Sequence, residues 1–305
     1  MDRKSHMDTF GAVALIAFAL HLAFNQVVIK VTNGGFGPVF AAGLRSAGAV
    51  VVLLIWMRLR GIPLAVPRAA VPAGILAGLL FGIEFMILFT ALDFTTVSRA
   101  SVIFYSMPVW LAIASHFLVP GDRMTGRRAL GLVMAMAGVA AALLDRSDGT
   151  ASLSGDLMAL TAAMCWAAIA LCVKVTPLSE VPPANQLIFQ VAVSAPLMLA
   201  VAFWTGDLMR DPQPIHFAGL AFQTIAVASL GFLAWFWLMS IYPASAVASF
   251  SFLSPVFAVI LGWLLLGEHV SLRVWMALVL VAGGIWLINR RPRSTQVPQK
   301  VAGTR

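Results

Sequence analysis

Two proline-centred segments, SMPVWLAI at 106–113 and LSPVFAVI at 253–260, occupy matching places in a chain that is otherwise a succession of long apolar stretches. Downstream of each comes a Gly-acidic turn, GDRMTGRR (121–128) answering GEHVSLRV (267–274). Further pairs keep the same order at separations of 144–149 residues: Lys30-Val31-Thr32 with Lys174-Val175-Thr176, Gly82 with Gly231, Ser98 with Ser245, and Gly138 with Gly284. Any one pair is weak, but their common register defines a repeat. Each copy holds five apolar spans. An odd number of crossings forces the second copy to enter the membrane from the opposite side, as in many carriers that bind substrate between inverted repeats.

The apolar stretches are long enough for this reading, because a helix needs about 20 mostly apolar residues to cross ~30 Å of hydrocarbon. Ten segments qualify: 10–30, 36–57, 69–92, 97–119, 127–144, 154–174, 185–205, 216–240, 245–266 and 272–289. The expected fold is therefore an all-α polytopic membrane protein, ten transmembrane helices as two inverted five-helix repeats around a central cavity. The first repeat covers 10–145 and the second 154–290, joined by a linker at 146–153, with short cytoplasmic tails at 1–9 and 291–305. Ser5-His6-Met7 resembles a cloning scar, so residues 1–7 carry no functional weight.

Composition excludes the soluble classes. Charged residues make up 10% of the chain and hydrophobic ones 61%, against roughly 25% charged in a soluble domain. The net charge of +8 forms no stripe that would suit nucleic acid. Instead the basic residues mark orientation. With the N-terminus cytoplasmic, fourteen Lys and Arg fall inside, five fall outside (Lys30, Arg99, Arg146, Arg210, Arg273), and Arg45 lies within span 2. Both termini are then cytoplasmic. Cys165 and Cys172 would stand about 10 Å apart along one helix, too far for a disulfide.

Several residues are candidates for chemistry. Pro108 and Pro255 read as helix breaks near the middle of spans 4 and 9, each removing a donor from the carbonyl four residues earlier, Phe104 and Ser251. Around the breaks lie Tyr105, Ser106, Ser249, Ser251 and Ser254; the prolines could instead be simple kinks and the serines helix-packing groups. Trp166, near the centre of span 6 among small residues, offers a flat face to an apolar or aromatic side chain, or packs in the helix bundle. Phe85 and Trp235 belong to the same argument. His21 and Asn25 share a face of span 1 at i, i+4. Glu84 is the one acidic residue well inside the membrane; it could bind an amine, relay a proton, or pair with Arg45 or His21. Gly74, Gly78 and Gly82 recur every fourth residue of span 3, a pattern for close helix packing.

Ten spans in two five-span repeats, each with a fourth-span proline followed by a Gly-acidic turn, resemble the EamA-type members of the drug/metabolite transporter superfamily. Length and the span-6 tryptophan are most similar to its YddG-like exporters of aromatic and other neutral amino acids. The resemblance implies a basket of helices, with spans 1, 3, 4, 6, 8 and 9 around a central cavity. It implies a carrier of the bacterial inner membrane working as a monomer on a small-molecule substrate, with the lipid bilayer as its other partner. No cofactor, metal or nucleic acid enters this expectation. An exporter of cationic drugs or other metabolites is the alternative substrate class. An intramembrane enzyme is more distant: one buried carboxylate and scattered histidines (His21, His116, His216, His269) supply no nucleophile–base pair or HExxH. A channel lacks its filter motif or charged ring.

Overall fold

The computed structural model describes residues 8–120, 124–145, 152–242, 247 and 250–289. In chain order the helices are α1 Thr9–Thr32, α2 Pro38–Leu59, α3 Val71–Phe94, α4 Val97–Phe104, α5 Met107–Leu118, α6 Gly126–Leu144, α7 Leu153–Val175, α8 Pro183–Thr205, α9 Pro214–Phe222, α10 Phe232–Ile241, α11 Leu253–Leu266 and α12 Leu272–Asn289. A π-wound segment, Gln223–Gly231, joins α9 to α10 into one span, Pro214–Ile241. Among the described residues nine spans are long and apolar enough to cross a membrane, with α4 and α5 counted as one. Outside these nine falls α11, the span expected ninth of ten, only 14 residues long. At 1.5 Å per residue that is about 21 Å, short of the hydrocarbon thickness. The expected span began at 245; positions 243–246, 248 and 249 lie outside the described residues.

Helix boundaries follow local chemistry. Prolines open α2, α8 and α9, where the missing N–H is one the first turn does not need. Asp8, Thr96, Thr125 and Ser152 cap α1, α4, α6 and α7 by accepting a backbone N–H through the side chain. Gly206 and Gly267 end α8 and α11 in the left-handed region, at φ 78° and 65°.

The main packing pairs recur when each span is exchanged for the one five places later. Span 2 (α2) packs on span 7 (α8), span 5 (α6) on span 10 (α12), and span 4 (α4) on span 9 (α11). Span 1 on span 9 has its counterpart in span 6 on span 4, and span 3 on span 7 has its counterpart in span 8 on span 2. A twofold relation between the repeats produces this.

The same turn leads into α5 and into α11 in the two fourth-position spans. Ser106 donates its N–H to Ile103 O (3.1 Å), and Leu253 donates to Phe250 O (3.0 Å), three-residue turns exactly one repeat register, 147 residues, apart. The expectation placed the break at Pro108 and Pro255 themselves. Instead each proline lies in the first turn of the helix that follows, α5 or α11. A ring without an N–H is tolerated there and excluded from a helix interior.

The end of the bundle carrying the 1–2, 3–4 and 7–8 connections is tied together by polar contacts. Phe36 and Met209 form an isolated antiparallel bridge. Arg210 binds Asp93 and Asp207, both at 2.7 Å. The hydrogen bonds that Arg210 donates to Asp207, and then to Asp93, raise its pKa above the ordinary value. Lys30 donates to the carbonyls of Leu92 and Thr95.

Candidate functional site

The broken fourth span brings aromatic and amide groups together where α1, α4, α7 and α11 meet. Tyr105, inside the turn that follows α4, is buried. Its ring meets Phe104 at 5.5 Å and Trp166 of α7 edge-on at 6.2 Å, while Trp166 stacks on Phe104 at 5.0 Å and 17°. Gln26 of α1 and Ser254 of α11 are the phenol's polar neighbours. The turn is satisfied internally: Ser106 Oγ donates to Ile103 O at 2.6 Å and accepts Trp110 Nε1 at 3.1 Å. By contrast Asn25 Oδ1, Gln26 Oε1 and Ser101 Oγ are buried without a hydrogen-bond partner. Such atoms are costly in an apolar interior. Amide oxygens accept, so this group is equipped for a donor such as an ammonium.

A second polar group lies in spans 2 and 3. Arg45 and Glu84 are 1% and 2% exposed. Each feels the other's charge, yet they close no ion pair. The guanidinium stands 3.8 Å over the Phe85 ring, with Phe89 at 5.1 Å and Phe81 at 5.9 Å. Arg45 Nε and Nη2, Glu84 Oε2 and Ser46 Oγ have no hydrogen-bond partner. Cys165, next to Trp166 on α7, also feels the Glu84 charge.

A family profile described as the EamA-like transporter family matches residues 9–144 and again 153–290. The chain belongs to this family. It is thus a multi-pass membrane protein of the drug/metabolite transporter superfamily. Among its relatives, the uncharacterized transporter YvbV of Bacillus subtilis is 28% identical over 67% of this chain and 66% of that protein. A protein of Escherichia coli named "Probable amino-acid metabolite efflux pump" is 24% identical over 94% of this chain and 95% of its own. A solved crystal structure with 19% identity covers 92% of this chain and 98% of that one at a TM-score of 0.64, a likeness of fold.

In this EamA protein the residues singled out in the sequence fall into separate environments. Trp166, Tyr105 and Ser254 come together, with Asn25 and its neighbour Gln26 on the adjoining α1. Ser251 accepts from Asn289 Nδ2 at 3.4 Å, so it is engaged with the end of α12. His21 is bound to the Ala226 carbonyl of the π segment at 3.0 Å, between Phe18 and Phe222. Phe85 lies under a cation, and Trp235 stacks on Phe18 at 5.0 Å. Ser249 lies outside the described residues. The glycine stripe of α3 is packing: Gly74, Gly78 and Gly82 face Phe189, Val193 and Leu197 of α8.

Sequence reasoning missed two sets of residues. Gln26, Ser46 and Ser101 carried no motif, although Ser101 stands four residues before Tyr105. The other set joins the two repeats. Arg99, counted as an outside loop charge, is fully buried and binds Asp156 at 2.6 Å and the Ala142 carbonyl at 2.6 Å. Glu268, the acidic residue of the second Gly-acidic turn, accepts from Val97 N (2.6 Å), Ser98 N (2.9 Å) and Ser98 Oγ (2.7 Å). It thereby caps α4 of the other repeat, where a negative charge is favoured.

Proposed function

We propose that this protein is a secondary carrier of the bacterial plasma membrane that exports aromatic and other neutral amino acids, or related small metabolites, by alternating access, with both termini in the cytoplasm. The observation that carries the reading is the unpaired amide oxygen of Gln26, whose side chain neighbours the Tyr105 phenol of the Tyr105–Trp166–Phe104 cluster. A zwitterion leaving water needs partners for its polar end, and its apolar end needs a ring surface. The amino-acid reading also draws on the name of the E. coli relative. The second reading, a cationic compound, is favoured by the same acceptor, since it would serve any ammonium. An intramembrane enzyme finds less support, because the family relatives reported above are named as transporters or efflux pumps.

Counterflow in proteoliposomes against amino acids, cationic dyes and sugar phosphates tests the reading. Saturable exchange of phenylalanine and tryptophan is expected; exchange of dyes alone transfers the function to the second class, and formation of a new product transfers it to enzymes. Trp166→Ala should weaken aromatic substrates roughly two- to twelvefold more than threonine, equivalent to about 0.5–1.5 kcal/mol of ring contact. Tyr105→Phe and Ser254→Ala, which alter the phenol and its polar neighbour, should weaken all substrates alike. Equal losses for phenylalanine and threonine in well-folded Trp166→Ala protein leave that ring as packing.

A further inference from the structure

Arg45 and Glu84 pose an unsolved electrostatic problem. Both lie within membrane spans, both are all but fully buried, and ionisable groups there are costly unless paired. The simplest remedy, a fork of guanidinium on carboxylate, is not taken. Arg45 is laid across the Phe85 ring, which compensates its charge through the ring face and leaves Nε and Nη2 with their hydrogens unused. Glu84 keeps Oε2 unused. Two ionisable groups of opposite type, buried near each other but unjoined, call for a ligand carrying one charge of each sign a few bonds apart.

Resting on the amino-acid reading, we propose that Arg45 and Glu84 form a split clamp for a zwitterion, the guanidinium taking the α-carboxylate and Glu84 the α-ammonium. The placement suits a side chain directed toward the aromatic cluster, because Glu84 acts on Cys165, the residue before Trp166. Ser46, beside Arg45 on α2 and also unpaired, adds a hydroxyl to the polar end. In the conformation described the clamp is occluded. One wall of α2 is the π segment, whose Thr224 lies against Gly48. Such windings are rare, and short ones recur at functional sites; movement of this segment during the cycle admits the ligand.

The test uses full-length protein in proteoliposomes, with phenylalanine counterflow competed by phenylalanine, its methyl ester (no carboxylate) and 3-phenylpropionate (no ammonium). Wild-type protein should prefer phenylalanine to both analogues by at least tenfold. Arg45→Gln should weaken phenylalanine at least tenfold and leave the ester unchanged; Glu84→Gln should weaken phenylalanine and leave phenylpropionate unchanged. Arg45→Lys, which keeps the charge, should retain part of the carboxylate preference. Analogues that compete as well as phenylalanine on wild-type protein overturn the clamp without any variant. So do folded variants whose three affinities move together or not at all. Loss of pH dependence alone in Glu84→Gln, with competition unchanged, makes Glu84 a proton carrier and also overturns it. If wild-type protein exchanges no amino acid, the amino-acid reading fails first; if it does and the variants are unselective, the clamp alone fails.

Discussion

A guanidinium withdrawn from water must be neutralised, and Arg99 achieves this with carboxylates from distant elements. Asp156 stands in the first turn of α7 and Asp145 follows α6; Asp145 also accepts from Ser271 at the start of α12. Thr95 donates to the same Asp156 at 2.7 Å. Removing one member of a buried pair strands the other and costs about 3–5 kcal/mol, whereas replacing both by apolar groups of similar volume is often tolerated. Arg99→Gln and Asp156→Asn should therefore each lower the melting temperature in detergent. The double variant Arg99→Met/Asp156→Leu should lie above the sum of the two losses. Additive losses would show that the pair is uncoupled. The chain offers Arg99 only as a charge near a span end. Its partners are 46 and 57 residues away, and no local pattern announces them.

Helix contacts inside a membrane lack a hydrophobic drive and depend on how closely backbones approach. At Gly78 of α3 an added Cβ would stand 2.5 Å from Val193 Cβ and 2.7 Å from the Phe189 carbonyl of α8. Gly78→Leu should thus force the two helices apart and reduce the yield of monodisperse protein severely. Gly126→Ala, where no atom lies within 4 Å, should change stability by less than about 0.5 kcal/mol. A tolerated Gly78→Leu would mean that α3 and α8 separate without cost. The every-fourth spacing made this stripe legible beforehand. The π winding of Gln223–Gly231 was not, because hydropathy reports that a segment is apolar and is blind to how its hydrogen bonds are registered.

The twofold packing pattern and the inward excess of Lys and Arg together set the topology proposed for the whole molecule. In a variant lacking Cys165 and Cys172, a cysteine placed at Met124 should be labelled from the cytoplasmic side and one at Arg273 from outside. The reverse pattern defeats the proposed orientation. The apolar spans, the repeat and its register were legible in the sequence alone, since length and apolarity decide what lipid accepts and matched prolines mark equivalent positions. The repeat pointed to the right span for the break but not to the right residue, because a proline ring fits a first turn as well as it disrupts an interior. Only the tertiary structure decided which polar groups meet: Tyr105 with Gln26 and Ser254, Arg45 over Phe85 rather than on Glu84, and Glu268 capping a helix of the opposite repeat. Those choices depend on helix rotation and depth, which are set by side-chain packing between spans remote in sequence.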